Sequence, residues 1–334
     1  MTNRIKDTDY LAISARIRAM ETSLLTRERM EQLLEARSDE EAAKLLQECG
    51  YPQLDASRPE VMDAALSQAR EELLSDLGDS VPDTRYIDLF KLKYDYHNIK
   101  AILKAEAVGA DARHMLSEMG RVSASQMQDA LRHGTLEELP PLLAEAAAEA
   151  REVLETTRDP QLADIVLDRW CYREMASLAE ETGSAFLQAY VQVQIDGVNL
   201  RALIRTMRMG KSGEFLRGVL LEGGEIPPES VLAAAAGGAG AVRELYEPTG
   251  FAEAAVAGAE ALSGGPLTEF EKLCDDAVSA YLSQAQLVPF GEAPLVGYLA
   301  ARETEFTNLR ILLMGRGMGL SPDVIRSRLR AAYV

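Results

Sequence analysis

Little in this chain points to chemistry. Only three of its 334 residues are Cys and three are His. Cys49, Cys171 and Cys274 are far apart and form no Cys-x-x-Cys pair. An odd, scattered set excludes a disulfide framework and favours a reducing compartment. No run approaches about eighteen uncharged apolar residues, so no segment is expected to span a membrane. The opening Met1-Thr2-Asn3-Arg4-Ile5-Lys6-Asp7 is not followed by an apolar stretch, so no signal peptide is expected. Basic residues are outnumbered, 35 Lys and Arg against 53 Asp and Glu, for a formal charge of −18. Nucleic acid demands basic stripes, so it is not an expected partner. Direct adhesion to anionic lipid is disfavoured too. The acidic surface reads first as a solvated face and second as a match for a basic partner. No stretch alternates apolar and polar residues long enough to make a set of strands.

What is present favours helix. Ala, Leu, Glu, Arg and Met dominate, and 47% of residues are hydrophobic. The length is ample for a core and suggests two or three lobes. Gly and Pro punctuate the chain into expected helices of roughly 10 to 22 residues. In the first third these are 8–22, 26–37, 39–48, 59–77 and 86–107, with a connector at 79–86 around Pro82. The Ala-rich stretches 143–150 and 231–241 read as thin, closely packed helices or loose surface helices. The expected fold class is all-α.

A short motif recurs three times: an acid, then Asn three positions later, an aliphatic residue and a base. The copies are Asp95/Asn98/Lys100, Asp196/Asn199/Arg201 and Glu305/Asn308/Arg310. The Asn residues lie 101 and 109 positions apart. Around them, Tyr96, Ile99, Ile102 and Leu103 have the spacing of one apolar helix face. Leu200, Leu203 and Ile204 repeat it, as do Phe306, Leu309, Leu312 and Leu313. Gly197 breaks the pattern where the other copies have an aromatic residue.

A second marker keeps the same beat. An aliphatic residue followed by a capping or breaking residue occurs at Leu25-Thr26, Val122-Ser123, Ile226-Pro227 and Leu320-Ser321. Thr26 and the Ser residues are expected to cap helices, and Pro322 suits a first helical position. Each Asn helix follows another helix, around 65–77, 165–179 and 270–282, so three helical hairpins joined by short capped helices are expected. The predicted units are 1–120 with an N-terminal extension helix, 121–222, and 223–334 with a C-terminal capping helix. Incomplete elements at the two ends suggest that the chain ends meet.

The acid and the Asn share one side of each helix beside the apolar stripe. The first reading is structural: a half-buried amide bonds backbone groups of a neighbouring element and sets its register, since leaving it unsatisfied costs about 1–3 kcal/mol. The second is that three equivalent polar positions contact a common axial partner.

Signals for catalysis or metal binding are weak. Gly210-Lys211-Ser212 resembles the end of a phosphate loop, but Arg205 replaces the required earlier Gly and the context is a helix end. Asp111-x-x-His114 has metal-ligand spacing but occurs once. His97 and His133 have no partner constellation, and Trp170-Cys171 reads as helix packing with Met175 and Leu178. No catalytic residue, cofactor, metal or small-molecule substrate is expected.

The run Tyr94-Asp95-Tyr96-His97-Asn98-Ile99-Lys100-Ala101-Ile102-Leu103-Lys104 resembles the hallmark segment of the C subunit of the V-type/A-type ATP synthases, the family of the eukaryotic V-ATPase d subunit. Ala15-Arg16-Ile17-Arg18-Ala19-Met20-Glu21 with Leu24-Leu25-Thr26 is similar to that family's opening. So is Glu41-Ala42-Ala43-Lys44-Leu45-Leu46 followed by Gly50-Tyr51. The resemblance covers essentially the whole chain, with Gly197 and the Gly/Ala-rich 233–265 region as departures. It implies a funnel-shaped, all-helical, non-catalytic subunit on the cytoplasmic face of the membrane rotor ring. Its implied partners are that ring and the central stalk, and its implied role is to couple rotation to ATP hydrolysis or synthesis in rotary ion transport. The alternatives are a helical-repeat scaffold for an unrelated partner and an unrecognised helical enzyme.

Overall fold

The computed structural model describes residues 5–51 and 59–334. Among them the fold is all-helical, with fifteen α-helices and no strand. Spatial contacts divide the chain into two compact units. One holds the described residues up to Pro82, with Asp196–Leu216 and Ile226–Val334. The other holds Asp83–Ile195 and Arg217–Glu225. These units follow contact, whereas the three sequence units follow repetition, and the two divisions do not coincide.

In the first unit, α1 (Leu11–Glu21), α2 (Arg27–Glu35), α3 (Asp39–Glu48) and α4 (Pro59–Gly78) come from the N-terminal part of the chain. In the second, α5 (Arg85–Val108), α6 (Ala124–His133), α7 (Pro141–Thr157) and α8 (Pro160–Thr182) follow in order. Helix α9 (Ala185–Arg208) begins in the second unit and ends in the first, and the short α10 (Gly213–Val219) begins in the first and ends in the second. The first unit is completed by α11 (Pro228–Tyr246), α12 (Ala252–Leu262), α13 (Leu267–Leu282), α14 (Glu292–Gly317) and α15 (Pro322–Arg326).

Helix α5 is the core of the second unit. It buries residues on all sides, among them Ile87, Leu92, Tyr96, Ile99 and Ile102, as a helix surrounded by neighbours must. Helix α8 packs along both α5 and α7. The Ala-rich stretch of α7 is what allows it close: Ala146, Ala147 and Ala150 are fully buried. The second Ala-rich stretch is a helix kinked at Gly238, whose φ of 78° breaks the helical path.

Helix α14 has the same role in the first unit, touching α1, α2, α4, α13 and α15. Its Phe306, Leu309, Leu312 and Leu313 share one cluster with Leu33, Leu34 and Leu46 from the start of the chain and Ile325 from its end. Each such buried side chain contributes about 1.5–3 kcal/mol. Helices from the N-terminal and C-terminal parts of the described chain therefore pack together inside this unit. Arg316 of α14 donates to the carbonyls of Leu33, Leu34 and Ala36 at 3.2, 3.2 and 3.0 Å, satisfying the C-terminal end of α2.

The expected caps hold in part. Thr26, Ser38 and Ser123 each accept from a backbone N–H three residues on, at 3.3, 3.2 and 3.3 Å. Ser321 has the extended backbone of a cap, but its hydroxyl makes no capping bond, and the final helix spans only Pro322–Arg326. The first expected helix also starts late: Asp7–Tyr10 is a 3₁₀ turn.

Candidate functional site

The three motif helices are α5, α9 and α14, and in each copy the acid accepts from backbone N–H groups just before the start of another helix. Asp95 Oδ1 accepts from the backbone N–H of Arg121 and Val122 at 2.9 and 3.2 Å. Asp196 Oδ1 accepts from Ile226 N–H at 3.1 Å. Glu305 Oε2 accepts from Leu25 N–H. Val122, Ile226 and Leu25 are the aliphatic residues of the second sequence marker, so the two periodic signals are two halves of one contact.

Asn98 and Asn308 hold backbone segments outside their helices. Asn98 pairs with both backbone groups of Ser117, accepting from its N–H and donating to its carbonyl, each at 2.8 Å. Asn308 does the same with Arg330 at 2.8 and 3.0 Å. The sequence pattern suggests half-buried amides; Asn98 and Asn199 are instead 0% exposed and Asn308 2%. Packing from all sides, rather than one stripe, accounts for the difference.

The bases reach acids on other helices. Lys100 Nζ lies 2.6 Å from Asp168 of α8. Arg201 Nε lies 3.1 Å from Glu271 of α13, and its Nη2 reaches Asp275. Arg310 Nε lies 3.0 Å from Asp63 of α4.

Half-buried arginines that the motif does not include support two of the acids. Arg121 bridges Asp95 and Glu174 at 2.7 Å each, and Tyr96 Oη donates to Glu174 at 2.8 Å. Burial raises the Asp95 carboxyl above its ordinary value, while Arg121 and the two N–H groups oppose that rise. At Glu305 the partners are Arg302, Tyr51 and Leu25. Arg302 also stacks on Tyr51 and Phe306, 5.3 and 4.8 Å from their ring centroids. Arg121 and Arg302 have no common offset from their acids, so a search for periodicity passes over both.

Two glycines shape these contacts. A Cβ at Gly197 would lie 3.1 Å from the Phe251 ring. Phe251, 3% exposed, thus covers the position where Tyr96 and Phe306 supply their own aromatic ring. At Gly120, a Cβ would overlap the Asp95 carboxylate, so the absence of a side chain is what lets the acid reach the 121–122 backbone.

The three motif helices also end alike. Gly109, Gly210 and Gly319 have φ of 67°, 63° and 69°. Each N–H bonds the carbonyl three residues back, at 3.1, 3.0 and 2.8 Å. The next N–H closes a wider loop to Ala105, Thr206 and Gly315, at 2.8, 3.1 and 2.9 Å. Just before each Gly stands an exposed apolar residue: Val108 at 77%, Met209 at 58% and Met318 at 68%. All three are ten positions beyond their Asn.

The weak catalytic signals have local explanations. Gly210 ends α9, Lys211 N–H bonds Thr206, and Ser212 Oγ accepts from Phe215 N–H at 3.1 Å. Asp111 pairs with Arg113, whose hydrogen bonds hold its carboxyl down to about 2. His97 Nε2 contacts the Met115 carbonyl at 3.0 Å. Trp170 Nε1 donates to Glu149 at 2.7 Å. Among the described residues no group of three or more His, Cys, Asp or Glu is placed to hold a metal ion. No helix among them is long and apolar enough to cross a membrane.

Fold and site define an all-helical protein in which one polar arrangement recurs on long, buried helices. The family profile described as ATP synthase (C/AC39) subunit matches residues 13–328, and the chain belongs to that family. It is 28% identical to the C subunit of the V-type sodium ATPase of Enterococcus hirae, over 97% of this chain and 99% of the relative. It is 27% identical to the C subunit of the A-type ATP synthase of Methanocaldococcus jannaschii, over 96% of this chain and 86% of the relative. A third relative, the C subunit of the A-type ATP synthase of Thermococcus kodakarensis, is 24% identical over 96% of this chain and 90% of its own length.

Proposed function

We propose that this protein is the non-catalytic central-rotor subunit of a V/A-type ATPase or ATP synthase. It acts as a socket that receives the central stalk and transmits rotation between it and the membrane rotor ring. It sits on the cytoplasmic side as a peripheral member of the complex, attached through protein contacts. Each of the segments 1–120, 121–222 and 223–334 supplies one long motif helix to this task. Asp95, Asn98, Lys100, Asp196, Asn199, Arg201, Glu305, Asn308 and Arg310 keep those helices in place rather than touch a substrate.

The observation that carries this reading is the match along nearly the whole chain to the C subunits of V-type and A-type enzymes. The polar arrangement supports it. Its carboxylates are consumed by backbone N–H groups and arginines, which suits a load-bearing part and leaves none of them free for proton transfer. The deciding experiment is affinity isolation of the tagged chain from its native membranes, followed by mass spectrometry. Stalk and ring subunits are expected in stoichiometric amounts. Recovery of the chain with an unrelated partner alone contradicts the proposal and favours a general helical scaffold.

A further inference from the structure

The unit built around α14 has an open cleft of about 810 Å³ beside that helix. One face of α4, the first turn of α13 and residues 328–330 complete its walls. Its charge is opposite to that of the chain. Arg70, Arg310, Arg328 and Arg330 line it, against Asp63 and Glu271, in a protein of formal charge −18.

The acids there are already engaged. Arg310 Nε lies 3.0 Å from Asp63. Glu271 is shared by Arg201 and Arg205 at 3.1 and 2.7 Å. Arg330 pairs with Asp275 at 2.8 Å and Arg70 with Glu303 at 2.9 Å, both acids lying outside the cleft lining. Arg328 is exposed, and among the described residues its side chain has no hydrogen-bond or ion-pair partner. The cluster therefore holds six guanidinium groups against four carboxylates, with one fork still open to an incoming anion.

We propose that this cleft is a docking site for an acidic polypeptide segment of another subunit, a proposal that rests on the chain working within a rotary ATPase. Charge complementarity selects the occupant. The cleft is far larger than one carboxylate or phosphate needs, and half-buried Leu267 and Ile311 give it an apolar part suited to aliphatic side chains. A nucleotide is a poor fit. Phe306, the one aromatic residue of the lining, is 1% exposed and covered by Arg70 and Arg302, so no ring is free to stack on a base.

The test places the photo-crosslinking residue benzoylphenylalanine at Thr268 or Thr307, both exposed on the cleft lining, in the intact complex. Adducts are mapped by mass spectrometry, with and without Arg328→Glu. The expected result is an adduct to an Asp/Glu-rich segment of another subunit, reduced about tenfold or more by Arg328→Glu while the chain stays in the complex. Assembly without an adduct overturns the inference and leaves the proposed function standing. So does an adduct to a neutral or basic segment or to lipid, an adduct insensitive to Arg328→Glu, or loss of the adduct on adding micromolar inorganic tripolyphosphate. Absence of the chain from the complex overturns both.

Discussion

Asp95 and Lys100 belong to the same motif and the same helix, yet they have very different energetic weights. Asp95 is fully buried and holds Arg121 as well as two backbone N–H groups. Asp95→Ala strips Arg121 of one of its two carboxylate partners and leaves the Arg121 and Val122 N–H groups without their acceptor, at an expected cost of about 3 kcal/mol. Lys100 pairs with Asp168, whose side chain is 56% exposed, so Lys100→Ala is expected to cost about 1 kcal/mol or less. Urea unfolding midpoints measure both, and equal losses contradict the hierarchy. The thiols give a second residue-scale prediction. Burial pushes Cys171 and Cys274 up to about 12, so both stay protonated and shielded near neutral pH. A thiol reagent at neutral pH is expected to modify the half-buried Cys49 alone, and all three after denaturation. Rapid native labelling of Cys274 contradicts that packing. The acids and amides were legible in the sequence because they repeat. Arg121, Arg302, Tyr51 and Phe251 were not, because each copy satisfies its buried acid or fills its aromatic site with a different residue at a different separation.

At the scale of elements, helix positions were largely legible from Gly, Pro and apolar spacing. The partners of the repeated acids were not. Asp95 and Asp196 reach forward 26 and 30 residues, whereas Glu305 reaches back 280 residues to Leu25. A marker of the same kind, Leu320-Ser321, follows the third motif helix, yet the N-terminal segment supplies the partner of Glu305. The common helix ends make a further prediction. Val108, Met209 and Met318 are exposed, so replacing all three with Ser is expected to change stability by about 0.5 kcal/mol or less per site. If these ends meet partner subunits, as the proposed role suggests, the triple variant is depleted from the isolated complex although it remains folded by circular dichroism. Normal incorporation excludes them as contacts.

The docking of the final helix is expected to be sensitive to acid. Arg326 pairs with Glu31 at 2.8 Å, joining α15 to α2. The hydrogen bond from Arg326 holds the Glu31 carboxyl below its ordinary value. A lowered folded-state pKa contributes its full stabilisation above the unfolded value, about 4.3. That contribution is lost as pH falls through the lower folded value. Both side chains are about one-third exposed, so the effect is small and screened by salt. Hydrogen exchange in residues 322–334 is expected to accelerate relative to α14 below about pH 4, and Arg326→Gln is expected to remove that pH dependence. An unchanged pH profile in the variant contradicts the assignment.

For the whole molecule, composition excluded more than it identified. Sparse His and scattered Cys offered no catalytic constellation, and the charge of −18 argued against nucleic acid. Neither property names a rotary machine. That reading came from the resemblance of short motifs to a known subunit family, and the match of residues 13–328 shows that the chain belongs to it. The charge average also concealed the arginine-lined cleft, whose residues come from four separated segments that only folding brings together. The central claim is that this subunit transmits rotation without performing chemistry. It is tested most directly by measuring ATP hydrolysis and ATP-driven ion transport in parallel, on purified complexes with and without the chain. The account predicts that the chain-free head continues to hydrolyse ATP while ion transport stops, and that adding the purified chain back restores transport. Loss of hydrolysis from the isolated head, or full transport without the chain, would contradict it.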